Sequence, residues 1–287
     1  MIIENSTEEP LSLRFPRTVR ELFASRDSSA PVIPDEIKES EEERRLLNAR
    51  VVGSPEPLRG GSNSVYLVRF EDGGVAIFKP GRGEHCLEIA RSCYKLYLRE
   101  RSAFLLDKAF SLNLVPTTVV RTIAGNEGSL QAFIENAESF WDYRHRSQEL
   151  ADQLYCVAIF DYIIWNKDRK DANLLVKNGR LFAIDNGLSA DPWFEYLITD
   201  NLQKYVFSRV PPADLRTKLE SCMESSQKLN QLRAELLQLL PADAVEAIFL
   251  RAKRVCDALS HNQMILNSDL SQPASRSSWR AEELKYA

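Results

Sequence analysis

The chain has 287 residues, 44% of them hydrophobic and 27% charged, and carries a formal net charge of −4. This is the composition of an ordinary globular protein with room for one large core or two modest ones, and its slight acidity offers no basic field to nucleic acid or an anionic membrane. Five scattered cysteines without a CxxC pair, and three histidines far apart in sequence, leave no zinc-ligand cluster (His85 beside Cys86 included) and point to reduced thiols.

The opening MIIENSTEEP is acidic and has no apolar core of signal length, which predicts a cytoplasmic protein without a secretory signal. Residues 1–50 read as a polar, proline-marked extension that ends in a short helix near 35–49. From Val51 the character changes, and a hairpin is predicted from Val65–Phe70 and Val75–Pro80 around Glu71-Asp72-Gly73-Gly74. The loop Gly60-Gly61-Ser62-Asn63-Ser64 feeds its first strand and can lay backbone N–H groups and two hydroxyls against phosphate; an ordinary turn is the other reading. Period 2 puts Lys79 on one face with Val75 and Ile77, the buried face if the sheet covers a cleft, and a lysine there needs an anion. A helix predicted over roughly 85–110 offers one. Its stripe of Ile89, Cys93, Leu96, Tyr97, Ala103 and Phe104 contains Glu100; Glu88, the competitor, lies nearer the helix start.

A second hairpin is predicted from 115–122 and 129–135 around Ala124–Gly128, and its exit through Phe133, Ile134, Glu135 and Asn136 is the expected hinge between two lobes. Residues 149–165 make a strongly apolar helix, too short for a membrane span and interrupted by Asp161. Further helices are predicted over 211–224, 226–239 and 242–258, with Pro211-Pro212 and Pro241 as boundaries. The resulting division is an extension to residue 50, a first lobe over 51–135, a second over 136–267, and a Ser-rich tail over 268–287.

Asn166 to Gly187, NKDRKDANLLVKNGRLFAIDNG, is the stretch that carries chemistry. Asp168 and Asn173 precede two short apolar runs joined by Lys177-Asn178-Gly179-Arg180, and Asp185 follows the second run. The pattern predicts helix, loop, strand, turn, strand, loop, with the three polar residues at the loop mouths. Solvated residues in surface turns would also fit. Phosphoryl transfer, however, needs one carboxylate at the incoming hydroxyl, and an amide oxygen with a second carboxylate to hold Mg²⁺ on the phosphates. D-x4-N followed by D-x-G on the next hairpin is the protein-kinase spacing.

These residues carry a resemblance: GGSNSVYLV (60–68), AIFKP (76–80), RERSAFLLDKAFSLNLVP (99–116), GSLQAFI (128–134), FDYIIWNKDRKDAN (160–173) and FAIDNG (182–187). The sequence resembles the bacterial phosphatidylinositol 3-/4-kinase-like branch of the atypical kinases, and is more remotely similar to secretory-pathway protein kinases and HipA toxin kinases. The resemblance implies an α+β, two-lobed kinase-like fold with a β-rich first lobe and a mostly helical second lobe. It implies ATP in the cleft, held by Gly61, Ser62, Asn63, Ser64, Lys79 and Glu100, with adenine at Phe133, Ile134 and Glu135. Lys79 takes the place of the phosphate-binding lysine, Glu100 of its helix partner and Asp168 of the catalytic aspartate. Asn173 and Asp185 stand as ligands of Mg²⁺, or of Mn²⁺. Two departures stand out: Lys170, where relatives often have histidine, and Trp165, where many have a small residue. Both are expected to alter substrate contacts. Between Asp185 and Asp200 there is no lysine or arginine for an inositol phosphate head group, which favours a protein hydroxyl as acceptor. A lipid or small-molecule kinase, an AMP-transferring enzyme and a non-catalytic scaffold are the alternatives.

Overall fold

The structure, a computed structural model, describes residues 39–58, 63–84, 95–190, 202, 206 and 209–260. The expectations for most of the N-terminal extension, for Gly61 and Ser62, for the helix start with Ile89, Cys93 and Glu88, for the acidic stretch 191–200 and for the tail lie outside these residues.

Helix α1 (Glu41–Asn48) starts at a capping box: Ser40 Oγ accepts the Glu43 N–H at 3.1 Å, and the Glu43 carboxylate accepts the Ser40 N–H at 2.9 Å. The chain then enters an antiparallel sheet in the order β1-β2-β3-β5-β4, made of β1 (Val51–Leu58), β2 (Val65–Phe70), β3 (Val75–Pro80), β4 (Thr118–Ile123) and β5 (Asn126–Ala132). Strand β1 is not evident in the sequence, because Gly53, Pro55 and Pro57 argue against a strand. It forms because it lies at the sheet edge, where a proline's missing N–H leaves no partner unmet, and the register slips between Val52 and Glu56 with Gly53 at φ 71°.

The β2–β3 hairpin follows the sequence expectation, with Arg69 opposite Val75. The buried face of β3 is the other one: Ala76, Phe78 and Pro80 are buried, while Val75, Ile77 and Lys79 are half-buried. The core under the sheet (Val68, Phe70, Ala76, Phe78, Val119, Leu130) therefore takes the opposite alternation, and Lys79 is left free to meet charged partners. The β4–β5 turn is also tighter than expected. Ile123 pairs with Asn126, so only Ala124 and Gly125 turn the chain, both at positive φ. Gly128 is a strand residue opposite Pro80, and a Cβ there would meet the Lys79 carbonyl oxygen at 2.3 Å. Its glycine serves a close approach of two backbones, which from sequence looks like a turn.

Helix α2 (Leu96–Ala109) is buried around most of its circumference. Its first two N–H groups, at Leu96 and Tyr97, are accepted by the Glu84 carboxylate at 2.8 and 2.9 Å, a cap supplied from beyond the helix. Beyond β5 come the short strand β6 (Glu138–Ser139), the short helix α3 (Phe140–Tyr143) and helix α4 (Ala151–Ile164). Strands β7 (Leu174–Lys177) and β8 (Arg180–Ala183) follow, joined by the two-residue turn Asn178-Gly179 with both φ positive. The chain closes with α5 (Leu215–Met223), α6 (Ser226–Leu236) and α7 (Ala242–Ser260). Helix α4 is the centre of the larger core, with Leu154, Val157, Ala158, Ile159, Phe160 and Ile163 all fully buried. This is a mixed α+β chain with its sheet early and its helices late, as expected. Among the described residues no helix is long and apolar enough to cross a membrane.

Near the end of α2, the buried Asp107 carboxylate accepts the N–H groups of Leu114 and Val115, each at 3.0 Å. Leu114 in turn accepts the Ala183 N–H at 2.8 Å, so Asp107 links the α2–β4 connection to β8. Burial pushes the Asp107 carboxyl up to about 7, against the pull of those two N–H groups. The folded state then binds a proton that the unfolded chain releases near 3.8. The stability from this group is present in full below the unfolded value and is lost as pH rises through about 7. Asp107→Asn should flatten the decline in unfolding free energy between about pH 4 and pH 7, measured by urea titration.

Candidate active site

Three elements converge on Lys79. The lysine projects from β3 and donates to Glu100 Oε1 of α2 at 2.5 Å and to Asp185 Oδ1 at 3.0 Å. Glu100 is 2% exposed, so it answers the requirement that an acid buried on a helix be paired. Its second oxygen, Oε2, accepts the backbone N–H of Asn186 at 3.0 Å. One carboxylate thus joins the sheet's lysine to the chain immediately after Asp185. Burial opposes the charge on Lys79, but Glu100 and Asp185 together raise its pKa above the usual lysine value. Burial would likewise raise Asp185, but the Lys79 ammonium, with Arg169 and Lys170 behind it, holds its carboxyl below the usual range. Asp185 has a left-handed backbone, φ 59°, a region in which Asp and Asn are tolerated better than most residues. Gly187 then passes over α2, where a Cβ would lie 3.3 Å from Leu96 Cβ.

Asp168 and Asn173 are placed by the loop after α4. Asp168 N donates to Asn166 Oδ1 at 3.0 Å, and its half-exposed carboxylate pairs with Lys170 Nζ at 3.1 Å. Asn173, in a 3₁₀ turn (Asp171–Asn173), donates its side-chain N–H to the Asp168 carbonyl at 2.9 Å. With the nitrogen end committed, the end left for a cation is the amide oxygen, a hard donor like the Asp185 carboxylate. Among the described residues no group of three or more His, Cys, Asp or Glu side chains could hold a metal ion. A cation here would need the phosphates of a substrate to complete its shell, as hard-cation sites of one or two protein ligands do.

Of the loop expected to lie against phosphate, Asn63 and Ser64 lead into β2. Phe133, Ile134 and Glu135 leave β5 beside β3, where Ala132 pairs with Ala76, and Phe133 is among the most exposed large apolar side chains described.

The residues that the sequence reading missed hold this arrangement together. Asp161 in α4 and Arg169 in the loop are a fully buried pair, with Nε and Nη2 on the two carboxylate oxygens at 2.8 and 2.9 Å. Arg169 also donates to the carbonyls of Asn173 (3.2 Å) and Ile184 (2.5 Å) and to Asn186 Oδ1 (2.6 Å). The signal was present: an acid in an otherwise apolar helix demands a buried partner, although sequence weighed Asp161 only against a membrane span.

Trp165 is corrected in role. It ends α4 at φ 60°, at the position where a helix that closes by paired N–H bonds usually has glycine. Here Trp165 N donates to Tyr162 O and Asn166 N to Asp161 O. The ring is buried under the Arg251 guanidinium, 4.8 Å from its centroid, and Arg251 Nε donates to Ile163 O at 2.8 Å. Trp165 supports the loop from behind.

Asp161→Asn should leave the Arg169 guanidinium buried without its counter-charge, which costs about 3–5 kcal/mol. Denaturant unfolding should show this loss, whereas a change under about 1 kcal/mol would mean the loop does not depend on the pair.

Residues 93–244, more than half of the chain, match the sequence family described as phosphatidylinositol 3- and 4-kinase. No curated protein sequence matches the chain. Among solved structures, the chain is similar to the Golgi casein kinase with Mn/ADP bound, at 15% identity and a TM-score of 0.54, over 79% of this chain and 76% of that one. It is also similar to hydra Fam20 with sugar, at 14% identity and a TM-score of 0.55, over 78% of this chain and 90% of that one. Identities this low speak for the fold alone, and that fold is kinase-like. With the family matched over Glu100, Asp168, Asn173 and Asp185, the chain belongs to the phosphatidylinositol 3- and 4-kinase family and is a kinase.

Proposed function

We propose that the chain transfers the γ-phosphoryl group of ATP to a hydroxyl of a protein, in the cleft between a first lobe over 51–135 and a second over 136–267. The observation that carries the reading is Lys79 held between Glu100 and Asp185, with the Asn173 amide anchored on the backbone of Asp168. Asn63 and Ser64, with Gly61 and Ser62 ahead of them, line the phosphates, and Phe133, Ile134 and Glu135 take adenine. Two carboxylates face one ammonium at Lys79, so a phosphate chain arriving on Lys79 alone would meet net negative charge. Asn173 and Asp185 would hold Mg²⁺, or Mn²⁺ as in the Golgi casein kinase structure, which neutralises charge on the phosphates. Lys79 grips the phosphates while Glu100 keeps it in place. Asp168 accepts the proton of the substrate hydroxyl as its oxygen bonds the γ-phosphorus, and ADP leaves with the electrons of the broken P–O bond. Lys170, paired with Asp168, keeps a positive charge beside the incoming hydroxyl. The protein acceptor rests on the absence of Lys and Arg between Asp185 and Asp200.

The test uses γ-labelled and α-labelled ATP in separate reactions with Mg²⁺, offering casein and phosphatidylinositol vesicles as acceptors. Label from γ on protein is expected. Label on lipid would make the acceptor a head group, label from α would mean AMP transfer, and no transfer would make the chain a scaffold. Asp168→Asn should lower turnover by roughly 10²–10⁴ with little change in ATP affinity. Asp185→Ala should damage both turnover and Mg·ATP binding while the protein stays folded. Wild-type turnover in a folded Asp168→Asn protein would show that the base lies elsewhere.

A further inference from the structure

Helix α1 lies outside every segment expected to touch substrate, yet one buried acid ties it to α2, the helix that carries Glu100. Glu43 is 1% exposed and accepts from three donors: Ser40 N at 2.9 Å, Arg101 Nη1 at 2.8 Å, and Lys108 Nζ. Arg101 and Lys108 stand two turns apart on α2, and both cations lie over the Phe104 ring, at 5.3 and 5.9 Å from its centroid. Arg101 also donates to the Thr118 carbonyl at 2.6 Å, which ties the same clamp to the start of β4. From α6, the half-buried Glu235 adds negative charge facing Arg101 and Lys108.

Arg101 directly follows Glu100 in the chain. Burial would raise Glu43, but Lys108, the Ser40 N–H and Arg101 hold its carboxyl below the usual range, so it stays charged at neutral pH. The turn of α2 whose inner side presents Glu100 to Lys79 and Asn186 is therefore gripped on another side by Glu43. A salt bridge of this kind is a poor source of net stability, because desolvation offsets its Coulomb energy; its geometric effect is to hold one helix on another. Coverage of the small core is supplied separately by Leu46, which is fully buried.

We propose that Glu43 is a positioning residue for phosphoryl transfer, acting through Arg101, Lys108 and α2 to hold Glu100 against Lys79. The inference rests on the reading of the cleft proposed above. It makes α1 a built-in clamp: with α1 docked, Glu100 is held where it supports Lys79, and loosening α1 lets α2 swing and weakens the grip on ATP.

The experiment is a double-mutant cycle on kcat/KM for ATP with Glu43→Gln and Glu100→Gln, in the γ-label assay, with melting temperature recorded for every variant. Glu43→Gln alone should lower kcat/KM about tenfold, and Glu43→Asp should recover part of the loss. In the Glu100→Gln background, Glu43→Gln should cost less than about twofold, although its effect on melting temperature is the same in both backgrounds. A residue that only stabilises the fold would lower both readouts equally in the two backgrounds. If Glu43→Gln does not fold, Lys108→Met takes its place in the cycle and decides in the same way. Additive losses in kcat/KM, or an unchanged kcat/KM in folded Glu43→Gln, overturn the inference while leaving the proposed function standing. A wild-type chain that transfers no γ-label overturns the proposed function and this inference together.

Discussion

Arg169 is where the parts of the site are made to agree. A guanidinium presents its N–H donors in one rigid plane, so acceptors that share it cannot move independently. Here the plane meets both oxygens of Asp161, the carbonyls of Asn173 and Ile184, and Asn186 Oδ1. Helix α4, the turn with Asn173 and the exit of β8 are therefore one geometric unit around a buried charge pair. Asp168 is the residue before Arg169. Its carboxylate can stay half-exposed and still be well placed, because the backbone on both sides of it is held.

A second hub, Glu100, meets the first at Asn186. Glu100 takes the Asn186 N–H, Arg169 takes the side-chain oxygen, and the Asn186 amide nitrogen donates to Ala183 O at 3.2 Å. The residue between the acid and the glycine of Asp185-Asn186-Gly187 is thus bonded through its backbone N–H and both ends of its amide, and is fully buried. Asp185 is held from both sides in a left-handed conformation, and its carboxylate faces Lys79 rather than the core. Low exposure and full hydrogen bonding together make this a network whose members hold one another in place. Asp185, Asp168 and Lys170, the charged groups given roles in the proposed transfer, are each close to half-exposed.

The hairpins around Asp72-Gly73-Gly74 and Asn178-Gly179, the apolar helix α4 and the pairing of Lys79 with Glu100 were all legible in the residues. Each depends on a local signal: a turn dipeptide, a run of apolar residues of helical length, or an unpaired charge on an inward face. Strand β1 was not legible, since two prolines contradict a strand until the edge position is known. Gly128 was misread as part of a turn, because the backbone it must approach, Lys79 and Pro80, comes from another hairpin. The alternation of β3 was read correctly as two faces, but only the core beneath the sheet decides which face is deeper.

Taken by itself, the sequence determined the spacing of Asp168, Asn173 and Asp185, the lysine and the acid that must meet, and a mixed α+β chain with its sheet early and its helices late. These follow from period, turn chemistry and the cost of an unpaired buried charge, all of which act over a few residues or on a residue's type alone. Only the tertiary structure decided which partner each buried charge takes: Asp161 with Arg169, Glu43 with Arg101 and Lys108, and Asp107 with the N–H groups of Leu114 and Val115. The physical reason is range. A buried ion needs a counter-charge or donor within hydrogen-bond distance, but nothing in its neighbours along the chain says which distant element will bring that partner close.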